Sequence, residues 1–281
     1  MLRSTKDLLD YTVRATDGDI GHVKDFYFDD QSWVARYLIV ETGSWLESRE
    51  VLVSPIALGH PDWTARVLPV SITMEQVRNS PDIDTDRPVS RQHEMQYLGY
   101  YGYPYYWGGA GLWGEGAYPG MLFTGPGNSR SAAEYPDEEA QEQSNESDSS
   151  QRDHDDPHLR SARAVMRYHI EASDGGIGHV QSLLIDEDSW AIRYLVVDTS
   201  NWWLGHQVLI APQWIRKVSW PDATVSVNLT QQAVKDAPLY DASKHLDREQ
   251  EIAVYQHYER TGYWPQSRAR GLGRAADRPL P

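Results

Sequence analysis

The segment DGDIGHVKDFYFDDQSWVARYLIVETGSW, beginning at Asp17, recurs as DGGIGHVQSLLIDEDSWAIRYLVVDTSNW, beginning at Asp174. At a constant offset of 157 residues and without a gap, Tyr11 falls on Tyr168, Arg36-Tyr37-Leu38 on Arg193-Tyr194-Leu195, and Pro55 on Pro212. The register holds through Thr73 and Thr230 and Glu94 and Glu251, to Tyr106-Trp107 and Tyr263-Trp264. A period this long holds several secondary-structure elements per copy, so it describes two whole folding units rather than a solenoid.

Within each copy the signals are strand and turn. Asp17-Gly18 and Asp174-Gly175 are tight-turn dipeptides between short apolar runs, and Gly21 and Gly178 after them mark a bulge or a close backbone approach. WVARYLIV and WAIRYLVV are nearly continuous apolar, β-branched runs, as a strand covered on both faces requires. TVSVNLT (from Thr224) alternates with the period of a half-buried strand. Short strands at this spacing predict a small closed barrel. A short helix follows, with Thr73 and Thr230 as N-caps and Gln76 completing a capping box in the first copy. The fold class is therefore mainly β: two small barrels in tandem, each followed by a short helix.

The residues shared by the copies, from the Asp-Gly turn through Gly-His-Val and Trp-x-x-Arg-Tyr-Leu to Val-Leu-x-x-Pro, resemble the PRC-barrel domain. That resemblance implies a six-stranded module like the cytoplasmic barrel of the photosynthetic reaction-centre H subunit, similar also to the C-terminal half of a bacterial ribosome maturation factor. The expected division is a first barrel with an aromatic tail at 1–107, a flexible Gly-rich and acidic linker at 108–160, a second barrel at 161–266 and a disordered tail at 267–281.

Charge narrows the partners. The chain carries 26 basic and 41 acidic residues, a net −15. Such a surface repels phosphate backbones and anionic lipid, so nucleic acid is not an expected partner. Residues 134–157 alone hold ten Asp or Glu against one Arg and almost nothing apolar, which predicts a disordered, self-repelling spacer. No apolar run reaches the length of a membrane span, so membrane insertion is not expected; the resemblance implies a cytoplasmic bacterial protein, at most peripheral to a membrane complex. With no Cys there is neither a disulfide, nor a thiolate metal site, nor a cysteine nucleophile.

Chemical motifs are sparse. His22 and His179 sit at equivalent positions, but no metal-binding spacing accompanies them, and they are expected as strand-edge histidines. Arg36 and Arg193 interrupt an apolar strand; a buried Arg needs a partner, with Asp25 or Asp30 expected for Arg36. Asp29-Asp30 and Asp186-Glu187-Asp188 read as solvated hairpin turns rather than cation sites. No nucleophile elbow, phosphate loop or dinucleotide fingerprint is present, so no catalytic, cofactor or metal residue is assigned.

Aromatic residues are the stronger sign. Tyr97 to Trp107 holds seven Tyr or Trp in eleven positions, and Tyr255 to Trp264 echoes it. Such side chains anchor interfaces or fold back as a lid. The candidate contacts are Tyr100, Tyr101, Tyr103, Tyr105, Tyr106 and Trp107 in the first copy and Tyr258, Tyr263 and Trp264 in the second, with the loop residues Trp45, Trp202 and Trp203. The expected function is a non-catalytic adaptor or scaffold binding a protein partner or itself. The alternative implied by the resemblance is an accessory at the cytoplasmic face of a photosynthetic or electron-transfer complex, assisting assembly and proton steering.

Overall fold

A computed structural model describes residues 1–81, 89–123, 158–199 and 206–264. The chain is mainly β, in two sheets. The first copy contributes β1 (Leu2–Ser4), α1 (Thr5–Leu8), β2 (Thr12–Arg14), β3 (Asp19–Asp29), β4 (Val34–Thr42), β5 (Glu50–Val53), β6 (Val67–Pro69), α2 (Met74–Arg78) and α3 (Arg91–Tyr101). The second contributes β7 (Leu159–Ser161), α4 (Ala162–Val165), β8 (His169–Ala172), β9 (Gly175–Asp186), β10 (Ile192–Asp198), β11 (Gln207–Ile210), β12 (Ile215–Ser219), β13 (Thr224–Val227), α5 (Gln231–Lys235) and α6 (Arg248–His257).

The strand orders are β5-β4-β3-β2-β6 and β11-β10-β9-β8-β13-β12. Each is an open path, and among the described residues no ladder joins its two ends, in contrast to the closed ring expected from the sequence. The outer edge of β5 is occupied by a side chain instead: the Tyr97 hydroxyl donates to Leu52 O and accepts from Ser54 N, both at 3.1 Å. With those edge groups satisfied by α3, no further strand is needed there.

The long central hairpins explain how the copies are joined. β2 covers only the first half of β3, from Asp19 to His22, and leaves the edge from Tyr27 to Asp29 unpaired within its own copy. That edge is taken by β7 of the second copy, with Tyr27, Phe28 and Asp29 opposite Ser161, Arg160 and Leu159. Reciprocally, β1 of the first copy pairs with Leu184 to Asp186 of β9. The copies thus exchange their first strands, each completing the other's sheet by main-chain hydrogen bonds.

Two left-handed residues close the seam. Trp33 (φ 55°) and Trp190 (φ 59°) occupy the same place in the two hairpin turns. The Trp33 carbonyl accepts from Ile192 N at 2.7 Å, and the Trp190 carbonyl accepts from Ala35 N at 2.9 Å. A positive φ at a bulky residue is strained and persists only where its surroundings compensate, as these cross-copy bonds do.

The segment after Trp107, expected to be linker, is folded as far as residue 123. Trp113 is fully buried, and its Nε1 donates to Ser189 O of the second copy at 2.8 Å. Leu159 and Arg160, also placed in the linker, form strand β7, because the open edge of β3 gives them a partner. Residues 134–157 and 267–281 lie outside the described residues.

The capping expectations hold. The Thr73 hydroxyl accepts from Gln76 N at 3.1 Å and the Gln76 side chain accepts from Thr73 N at 2.8 Å, whereas Thr230 has only the first of these bonds, to Ala233 N. Asp17 and Asp174 also reach across to accept from Met74 N and Gln231 N, tying each turn to a helix start. α3 and α6 are additional, longer helices beyond the single short helix expected per copy. None of the described helices is long and apolar enough to cross a membrane.

Candidate functional site

Three arrangements bear on function: the seam between the copies, a buried polar cluster in each copy, and a pair of grooves flanking the seam.

At the seam, Arg160 Nε bonds Asp30 Oδ2 at 2.8 Å, and its equivalent Arg3 Nε bonds Glu187 Oε2 at 3.1 Å. Each guanidinium also lies over an indole, Arg160 on Trp220 and Arg3 on Trp63. Asp25 faces the exchanged strand, accepting from the Ser161 hydroxyl and from Arg163 N at 2.9 Å. Burial raises the Asp25 pKa against the lowering effect of those donors. Ser182 stands at the equivalent place, and there Leu183 N donates to Thr5 Oγ1 at 3.4 Å.

The Asp25 and Asp30 carboxylates therefore hold the second copy, and neither pairs with Arg36. That guanidinium, 3% exposed, lies 3.6 Å from Asp29, donates to Ser32 Oγ at 3.1 Å and Leu112 O at 2.6 Å, and rests on the Tyr106 ring. Arg193 is half-buried. It donates to Ser189 Oγ and stacks on Tyr263, and among the described residues the buried Nε of Arg193, like that of Arg36, has no hydrogen-bond partner.

α3 carries the first polar cluster. Glu94, 1% exposed, accepts from the hydroxyls of Tyr37 (3.3 Å) and Tyr106 and pairs with Arg91 at 3.1 Å. Desolvation pushes its pKa up to about 7 in spite of Arg91. The second copy repeats the set: Glu251 accepts from Tyr194 at 2.9 Å and Tyr263 at 2.7 Å and pairs with Arg248 at 3.2 Å. These carboxylates are enclosed by their own donors, which fits a structural lock between helix and sheet.

His22 and His179 lie in the middle of the ladder rather than at an edge. His22 is paired between β2 and β4 with an exposed side chain, and His179 Nε2 is 4.0 Å from Asp198. The acidic turns are Asx turns: Asp29 accepts from Gln31 and Ser32 amides, and Asp186 from Asp188 and Ser189 amides. Among the described residues no group of three or more acidic or His side chains is placed to hold a metal ion.

The aromatic candidates mostly fold back. Gly102 (φ 69°) ends α3 in the left-handed conformation, with Tyr103 N donating to Leu98 O at 2.8 Å, so the chain reverses. Tyr103 and Tyr106 are consequently buried; Tyr258, at the end of α6, is buried too, while Tyr101, Tyr105, Trp107, Tyr263 and Trp264 are partly buried against the core. Trp45 donates to Ile20 O at 2.7 Å. Tyr100 is the most exposed of the set at 41%, and even its hydroxyl donates to Gln76 O. Trp202 and Trp203 lie outside the described residues.

The grooves were not foreseen from the sequence. One, of about 490 Å³, is lined by Trp33 and Asp30 of one copy and by Arg193, Arg216, Lys217 and Trp220 of the other. The second, of about 570 Å³, is its equivalent at the 157-residue offset, lined by Trp190, Glu187 and Asp188 and by Gly59, His60 and Trp63.

The model of the PRC-barrel domain family matches residues 3–59. The chain carries a PRC-barrel domain. The matched span runs from β1 to just past the Pro55–Ala57 turn, so it includes the exchanged strand, the central hairpin and β5 of the PRC-barrel unit. No curated protein sequence matches the chain.

Proposed function

We infer that the chain is a non-catalytic cytoplasmic scaffold made of two PRC-type units, the second being residues 161–266 with the exchanged strand β7 before it. The single observation that carries this reading is the reciprocal strand exchange, which locks two like units into one body with paired grooves along the seam. The PRC-barrel match is consistent with an interaction module. The buried Glu94 and Glu251 clusters hold helices to sheets.

Reciprocally tagged affinity purification from the source cells, together with light scattering of the intact chain over a hundredfold concentration range, tests the reading. Reproducible recovery of the same partner from both directions, or concentration-dependent self-association, supports it. A strictly monomeric chain with no enriched partner would count against it.

A further inference from the structure

The two seam grooves share a geometry but differ in charge and in cover. Arg216 and Lys217 in the first stand where Gly59 and His60 stand in the second, and Asp30 and Gln31 where Glu187 and Asp188 stand. The first groove is therefore basic on a chain of net −15, and the second acidic. Arg216 and Lys217 are exposed, and neither has an ion-pair partner among the described residues.

The chain itself shows what lies against such a groove. The arm after Trp107 runs past Arg36, giving it the Leu112 carbonyl at 2.6 Å, then lays Tyr118, Pro119 and Gly120 along the acidic groove. At the basic groove the same arm contributes Leu112, and no described Tyr-Pro segment lies along it. Arg193 stands in the place of Arg36 and, among the described residues, donates to Ser189 Oγ but to no main-chain carbonyl, and Trp33 and Trp220 line the groove.

We propose that the basic groove is a docking site for an acidic, Tyr-Pro-containing peptide of a partner protein. This rests on the scaffold reading and names the chemistry of the partner. The first copy and the acidic groove supply the pattern for two of the three determinants. Arg193 takes a main-chain carbonyl as Arg36 takes that of Leu112. Trp33 and Trp220 pack on the Tyr-Pro pair. Arg216 and Lys217 bind the flanking carboxylates, a charge match that governs specificity and association rate.

The test uses the intact chain and a fluorescein-labelled peptide of sequence EYPDEEAQEQSN, which also occurs in this chain at 134–145, outside the described residues. Fluorescence anisotropy is expected to show saturable binding that weakens about tenfold or more with R216E/K217E and with added salt. A peptide with Gln and Asn in place of Glu and Asp is expected to lose most of that affinity. Both substituted positions are exposed, and an unchanged thermal midpoint checks that the variant is folded.

Absence of binding, or binding indifferent to R216E/K217E, overturns the proposal. Binding seen only after 134–139 is replaced by Gly and Ser would place the occupant in the chain itself and overturn an outside partner. If the peptide fails while tagged chain still recovers a partner, the groove assignment falls and the scaffold reading stands.

Discussion

Arg160 of β7 grips Asp30 at the end of β3 across 2.8 Å, and 157 residues apart in both members Arg3 grips Glu187 at 3.1 Å. The ion pair and its copy sit at the two points where one unit's first strand enters the other's sheet. Both arginines also cover an indole, so their aliphatic and planar surfaces pack as well as pair.

Replacing Arg160 or Arg3 by Ala is therefore expected to cost about 1–2 kcal/mol each, since the pairs are only partly buried and the ring contact adds to them. Urea denaturation reads this directly. Two silent variants would remove these pairs from the stability of the seam.

Arg36 and Arg193 are equivalent in sequence and unequal in surroundings. Arg36→Met leaves the Leu112 carbonyl without its donor and takes the cation away from Asp29 in a dry site, and is expected to destabilise by about 3 kcal/mol or more. Arg193→Met, at a half-buried position, is expected to cost about 1 kcal/mol. An inverted ranking would contradict the role given to the Leu112–Trp113 arm.

Glu94 sets a pH dependence. Its folded pKa of about 7 lies above the ordinary value of 4.5, so between these the folded state holds a proton that the unfolded state has released. Stability is then full below the ordinary value and falls as pH rises through 7, by a few kcal/mol at most. The groups facing the carboxyl are Arg91, Tyr106 and Tyr37, with Arg36 and Asp29 beyond them. Glu94→Gln is expected to flatten the decline between pH 5 and 8, and an unaltered slope would assign it to another group.

Gly178 has no room for a side chain: a Cβ there would lie 1.9 Å from Asp198 O, and at Gly21 2.0 Å from Glu41 O. Gly178→Ala must push β10 from β9 and is expected to lower the thermal midpoint by several degrees. A neutral variant would mean that the hairpin tolerates separation.

Much of this was written in the sequence where the rule is local. Identity at one offset gave the repeat, Gly21 and Gly178 gave the close strand approach, and Thr73 with Gln76 gave the capping box. Arg36 was assigned the wrong carboxylate because β3 pairs with β4 through register shifts at Val23/Asp25 and Tyr27/Phe28, and each shift resets the alternation that counting along a strand relies on. The aromatic run turned inward because of Gly102, whose left-handed helix end was visible as a glycine but not as a reversal. The strand exchange was hidden altogether: it follows from β2 being too short to cover β3, a mismatch that appears only once strand lengths are known.

The most direct test of the interlocked pair is to nick the folded chain between residues 124 and 157 with a protease and pass it, undenatured, through size-exclusion chromatography with light scattering. Reciprocal exchange of β1 and β7 requires the two fragments to elute together at the mass of the intact chain and to separate only in denaturant. Elution as two separate folded fragments would contradict it.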